Sequence, residues 1–249
     1  MSRLQEGVLP QPSGKPSDEE IAVWKARIEP SLTEVRAAIA QACAACGRQP
    51  AEVTLIAVAK RQPAAAISAV HALGVRDIGE NYVQELSEKA EALVHLRDLR
   101  FHHIGQLQRN KVGSAIRYAC ALHGIDSKRL AARVESVAAG VGRSIPVFVQ
   151  VNFERSASKG GVSPENLNTL VAYIRSSAHL ELQGLMTLPE VDEASALAAF
   201  AACREHAARL GLSGLSMGMS GDFAAAIANG ATHIRVGTRI FGARPTGGK

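Results

Sequence analysis

Five apolar residues, Leu55-Ile56-Ala57-Val58-Ala59, run into Lys60, so an amine stands at the end of a buried-type strand. Nearby cations or partial desolvation would leave some of that amine neutral and able to form a Schiff base with a carbonyl. The plainer reading is a lysine whose stem snorkels at a strand end. Arg235 lies between Ile234 and Val236, and strand alternation puts it on the inner face while its neighbours pack outward. A guanidinium there needs partners: a ligand's ring nitrogen, a carboxylate, or an internal ion pair. Ser216-Met217-Gly218-Met219-Ser220-Gly221-Asp222 and Arg235-Val236-Gly237-Thr238-Arg239 supply hydroxyls, glycines and exposed N–H groups suited to a phosphate. The same residues serve equally as ordinary helix caps, at Ser220 or Asp222.

Other positions offer weaker chemistry. Asn81, in Gly79-Glu80-Asn81-Tyr82, either faces a ligand or caps the following helix, with Gln84 completing a capping box. His102 and His103 point to opposite strand faces, so one can meet a ligand, but their divergence argues against a shared metal. Asn152 ends the stretch Val147-Phe148-Val149-Gln150-Val151-Asn152. The basic, glycine-bearing segment 154–161 follows, suited to closing over an anion or to lying solvated. Cys43-x-x-Cys46 has no second cysteine pair, and reads as helix packing rather than half a zinc site. Arg109, Lys111 and Arg117 lack the interleaved aromatics of a nucleic-acid platform. Neither a Walker A loop nor a Gly-x-Ser-x-Gly elbow occurs.

The elements that position these residues alternate in type. Strand-like stretches occupy 54–60, 75–81, 100–105, 118–126, 144–152, 180–186, 212–218 and 232–237. Helical spacing fills 82–97, 127–139, 163–176 and 190–210, and a further helix at about 22–46 precedes the first strand. In 190–210 the expected buried stripe is Leu197, Phe200, Ala201 and Ala208. Eight short parallel-type strands fit an α/β class fold, a single-domain (β/α)8 TIM barrel, whose function gathers at the C-terminal strand ends. A doubly wound sheet competes but lacks Gly-x-Gly-x-x-Gly after its first strand. The expected organisation is a flexible tail at 1–20, the barrel at 21–246 and a short tail at 247–249.

Composition fits that frame. Among 249 residues, 47% are hydrophobic and 20% charged, which excludes a disordered or fibrous chain. The net charge of +5 is modest and suits anionic small ligands as readily as nucleic acid. Four cysteines argue against a disulfide-stapled secreted scaffold. The N-terminus lacks an apolar h-region, and no apolar run approaches the ~20 residues of a membrane span. A cytoplasmic protein with no membrane or nucleic-acid partner is expected.

Taken in order, LIAVAK, IGENYVQE, HHIGQLQRNK, HGIDSKRLA, VQVN, LQGLMTLP, LSMGMSGD and IRVGTRIFGAR resemble the motifs of the pyridoxal phosphate homeostasis proteins, built like the N-terminal domain of alanine racemase. The resemblance spans about residues 25–245 and implies a barrel that carries pyridoxal 5′-phosphate (PLP). By that resemblance Lys60 bonds the cofactor aldehyde, Ser220, Gly237 and Thr238 cradle its phosphate, and Arg235 faces its pyridine nitrogen. Asn81, His102, Asn152 and Met217 match residues around the cofactor. A permanent cation at the ring nitrogen would weaken PLP as an electron sink. The racemases add a β-rich second domain bringing a second base. The chain ends soon after Thr238, and Tyr82, Tyr118 and Tyr173 lack the context of that base. The implied role is a non-catalytic PLP holder in B6-vitamer and amino or keto acid homeostasis. Its partners would be PLP, other B6 vitamers and transient PLP-accepting enzymes, its state a monomer or weak dimer. A PLP-dependent racemase is the alternative. Two departures stand at the rim: Phe101-His102-His103 where many relatives read Trp-His-Phe, and the 154–161 loop.

Overall fold

The computed structural model describes residues 14–154, 159–189 and 192–242. Eight parallel strands close into a barrel in chain order: β1 (Thr54–Val58), β2 (Asp77–Glu80), β3 (Arg100–His103), β4 (Ala119–Ile125), β5 (Ile145–Gln150), β6 (Leu180–Met186), β7 (Gly214–Ser216) and β8 (His233–Val236). β8 pairs back onto β1 with Arg235 level with Ile56, which closes the ring. The connecting helices are α2 (Ala64–Ala72), α3 (Val83–Ala92), α4 (Val112–Tyr118), α5 (Lys128–Gly140), α6 (Pro164–Arg175), α7 (Glu193–Arg209) and α8 (Phe223–Ala228). A helix α1 (Asp18–Ala45) precedes the barrel, and a single turn α9 (Thr238–Phe241) follows it. The single-domain TIM-barrel expectation is therefore met.

Alternation sorts the strand side chains into two cores. Ile78, Phe101, Leu122, Val147, Val149, Leu215, Ile234 and Val236 point outward and pack in one buried cluster with the helices. Ile56 and Ile104 reach the barrel interior, where a Cβ added to Gly79 would meet both at 2.9 Å. Adjacent strands come unusually close at Gly184, whose added Cβ would sit 1.8 Å from the Gly214 carbonyl oxygen, so only hydrogen fits there.

α1 begins at Asp18 rather than near residue 22, because Ser17 and Glu20 form a capping box: Glu20 N–H donates to Ser17 Oγ at 3.2 Å and Ser17 N–H to Glu20 Oε2 at 2.9 Å. The expected tail is therefore helical at 18–20, and its residues 1–13 lie outside the described residues, as do 247–249. α1 buries Ile28, Leu32, Val35, Ile39 and Cys43 at helical spacing and packs against α2, α8 and α9, over the β1–β8 closure. Cys43 thus serves packing, while Cys46 caps the exposed helix end. In α7 the buried stripe is Ala196, Ala199, Phe200, Cys203 and Ala207, which shares Phe200 with the expected one; Ala201 and Ala208 face solvent and Leu197 is 42% exposed. Phe200 fills that face, and Ala196, Ala199, Cys203 and Ala207 lie at helical spacing around it.

Candidate functional site

The C-terminal strand ends surround a cavity of about 470 Å³. Its lining includes Val58, Lys60, Gln62, Asn81, Ile104, Leu188, Met219, Ser220, Gly221, Arg235, Gly237 and Thr238. That volume suits a small ligand. A larger open cleft of about 860 Å³ adjoins it at Asn81, lined by Tyr82, Gln84, Glu85, Gln106, Gln108 and Lys111 among others.

Lys60 is half-buried on the turn that follows β1, and this turn is held from below. The Lys89 ammonium of α3 donates to the Ala59 carbonyl at 2.8 Å, to Glu80 Oε1 at 2.7 Å and to Glu85 Oε2 at 2.8 Å. Glu85 Oε2 also accepts the Arg61 N–H at 2.7 Å. Arg61 adopts φ +61°, a left-handed conformation that costs a non-glycine residue about 1–3 kcal/mol and persists where surrounding bonds enforce it. The backbone on either side of Lys60 is thereby pinned to one charge cluster, whose Glu80 and Lys89 are buried. Burial raises the Glu80 carboxyl to about 7, against the pull of Lys89 and, more weakly, Lys60.

Arg235 points inward as alternation requires, and Ile234 and Val236 pack outward. It is buried, donating Nη1 to Ser216 Oγ at 2.7 Å and Nη2 to the Thr187 carbonyl at 2.9 Å. Burial lowers its pKa to about 10, so it stays cationic at neutral pH. The loops after β7 and β8 meet where Gly237 N–H donates to Ser220 Oγ at 3.3 Å. An added Cβ at Gly237 would lie 3.3 Å from the Val58 carbonyl oxygen, so glycine keeps this wall of the cavity low. The Asp222 carboxylate accepts the Met219 N–H and braces the first of these loops. Asp222 is the N-cap residue of α8, as expected of one of the two candidates, but neither its side chain nor that of Ser220 bonds the helix N–H groups.

The structure brings together Lys60, Asn81, Ser220, Arg235, Gly237 and Thr238. Asn81 does not cap α3, whose N-cap is Tyr82, and Gln84 bonds Glu88 instead. His102, Asn152 and Met217 are placed elsewhere. His102 lies deeper in the barrel, bonded to Asp77 and His123. Asn152 Nδ2 donates to the Lys159 carbonyl at 3.1 Å and fastens the segment after β5. Met217 is fully buried in the outward core, one residue after the inward Ser216. Lys159 pairs with Glu154 at 3.1 Å, and Arg155 lies outside the described residues. His103 is buried outside the barrel wall, neither ring nitrogen making a well-aligned hydrogen bond. Burial pushes it down to about 4, little offset by the Asn81 carbonyl. No group of histidine, cysteine and carboxylate side chains suited to a metal occurs among the described residues.

The chain resembles known proteins over most of its length. Residues 30–245 match the model of the alanine racemase N-terminal domain. The chain is 42% identical over 224 residues to the pyridoxal phosphate homeostasis protein of Pseudomonas aeruginosa, covering 88% of this chain and 97% of that one. The chain belongs to this family. PipY of Synechococcus elongatus, solved with PLP bound, superposes with a TM-score of 0.74 at 38% identity, over 82% of this chain and all of that one. Alanine racemase of Corynebacterium glutamicum shares the fold at 16% identity, with a TM-score of 0.62 over 94% of this chain and 64% of that one.

Sequence reasoning missed Gln62, Leu188 and Met219 at the cavity. The inward direction of Ser216 points Met217 away, so strict alternation already contained the signal against Met217. The Glu80–Lys89–Glu85 cluster was missed as well. Its i, i+4 pair of Glu85 and Lys89 is visible in sequence, but its contact with the β1 turn is not.

Proposed function

We propose that this chain binds PLP in the cavity of Lys60 and Arg235. As a non-catalytic holder, it would contribute to PLP, B6-vitamer and amino or keto acid homeostasis in the cytoplasm. PLP-accepting enzymes would be its transient partners. One observation carries the reading: an amine, a buried guanidinium and a small hydroxyl- and N–H-bearing rim converge on a single cavity of about 470 Å³. These groups fit the cofactor's aldehyde, ring nitrogen and phosphate, in a chain whose relatives are named for PLP homeostasis. When bound, PLP supplies an aldehyde that condenses reversibly with primary amines, releasing and regaining water.

The chain's own residues set how that group is treated. Lys60 is the attachment amine, its backbone fixed by Lys89 and Glu85. Ser220, Gly221, Gly237 and Thr238 offer hydroxyl and backbone donors to a phosphate. Arg235, which can only donate, disfavours a proton on the ring nitrogen. The ionisable side chains lining the cavity among the described residues are Lys60 and Arg235. Racemisation needs a second base on the opposite face, and this lining supports holding over turnover. No helix among the described residues is long and apolar enough to cross a membrane.

Two assays test the reading. Adding PLP to depleted protein should give a borohydride-reducible adduct, and Cα exchange with deuterated solvent across an amino-acid panel should stay at background. Failure of the adduct refutes binding at Lys60; exchange above background refutes the non-catalytic role.

A further inference from the structure

Arg235 is the upper end of a polar chain that crosses the barrel interior. Ser216 Oγ, which accepts from Arg235, lies 2.8 Å from His123 Nδ1. His123 Nε2 lies 3.0 Å from His102 Nδ1, and His102 Nε2 lies 2.9 Å from Asp77 Oδ1. Arg100 clasps Asp77 through Nε at 2.8 Å and Nη2 at 2.6 Å. Every link from Asp77 to Arg235 is buried, yet the Arg100 side chain is 57% exposed. Asp77 and Arg100 line a cavity of about 480 Å³ at the N-terminal ends of the strands, opposite the one that holds Lys60.

Donor counting restricts what this chain can hold. A guanidinium only donates and a carboxylate only accepts, so Ser216 accepts from Arg235 and His102 presents Nε2–H to Asp77. With both rings neutral, Ser216 gives its proton to His123 Nδ1, and His123 gives Nε2–H to His102 Nδ1. One further proton, taken from solvent, makes His102 an imidazolium that donates Nδ1–H to His123 Nε2. His123 then carries its own proton on Nδ1 and donates to Ser216, which accepts twice and keeps its own O–H, rotated away from His123. Between the two states the His123 tautomer changes and the direction of both bonds reverses, with every heavy atom in place.

We propose that Ser216 and His123 are positioning residues for Arg235, and that they transmit the proton state of the His102–His123 pair to the guanidinium that faces the Lys60 cavity. The surroundings favour holding the extra proton on His102. Burial opposes charge there, but Asp77 on β2 and Cys120 on β4 raise it to about 9. His123 is pushed far down by burial and by His102, His233, Arg235 and His103. Phe148 stacks on the His123 ring at a centroid distance of 4.3 Å. At neutral pH His102 is therefore charged and His123 protonated on Nδ1; above about pH 9 the pair is neutral and His123 carries Nε2–H.

The ligand part of this inference rests on the PLP reading; the relay itself does not. Histidine ring-nitrogen NMR of the 15N-labelled full chain without PLP, titrated across the His102 midpoint, reads the relay directly. The expected result is one shared midpoint for His102 and His123, with the His123 tautomer exchanging there, and a lower midpoint in Ser216→Ala. Separate titrations, or a His123 tautomer indifferent to pH, would overturn the relay. PLP added to Ser216→Ala should bind about tenfold or more weakly, as loss of a hydrogen bond to a charged group implies. Binding equal to wild type would overturn the positioning of Arg235. Wild type that takes up no PLP refutes the proposed function, and the ring titration still decides the relay.

Discussion

Glu80→Gln isolates the titration of the cluster beneath Lys60. Burial holds the folded-state Glu80 carboxyl at about 7, against an ordinary value of 4.5. The unfolded chain thus releases the proton first. The Glu80 contribution to stability is full below 4.5 and is lost as pH rises through about 7. At about 1.4 kcal/mol per pH unit the whole loss is about 3.5 kcal/mol. About 2.5 kcal/mol of it falls between about pH 5 and about pH 8, by the same linkage. For a chain of this size that is a change in Tm of about 5–10 °C. The glutamine has no such titration, so its Tm relative to wild type should rise by that amount across the interval. Lys89 keeps its bonds to Glu85 and the Ala59 carbonyl, so its altered pairing adds a nearly constant offset. His103 and His233, each pushed down to about 4 by burial, give the opposite slope and cancel in the difference. Differential scanning calorimetry of both proteins at a series of pH values is the assay. A difference in Tm that stays flat with pH would refute the reasoning and show that Lys89 holds Glu80 ionised throughout.

Three further outcomes follow from single positions. His103→Phe replaces a poorly bonded buried imidazole, so it should stabilise by about 1–2 kcal/mol in chemical denaturation. That gain should grow as pH falls from 6.5 toward 4, because the wild-type contribution is present above 6.5 and is lost through about 4. Gly105→Ala would place its Cβ 2.2 Å from the Asn81 carbonyl oxygen, so Asn81 must shift. A loss of about 1–3 kcal/mol is expected, with weakened PLP binding measured by fluorescence titration. Ser17→Ala removes the capping box of α1 and should cost about 1 kcal/mol in thermal unfolding without altering PLP binding.

The barrel was legible because buried parallel strands carry short apolar runs and each ends at a turn residue with distinctive chemistry. Arg235 shows the strongest case: its two aliphatic neighbours in sequence give its inward direction by strand alternation alone. Lys60 was legible for a similar reason, from the run that ends at it. Met217 and His102 show the limit of motif position. One faces the helices and the other sits a layer below the cavity, a depth that depends on strand register between β2, β3 and β4. The α7 stripe was misplaced because alanines populate every face of that helix, leaving the apolar pattern nearly featureless. The cluster around Lys89 and the interior relay both join residues far apart in sequence, and their chemistry exists only once the strands are in register.

The central claim is that Lys60 carries PLP in this cavity. Its most direct test is an absorbance spectrum of the protein purified without added cofactor, repeated after PLP addition and after borohydride, with peptide mass mapping of the reduced product. The account predicts a yellow band that reduction abolishes and a pyridoxyl modification on Lys60. A modification confined to other lysines, or no band even after PLP addition, would contradict it.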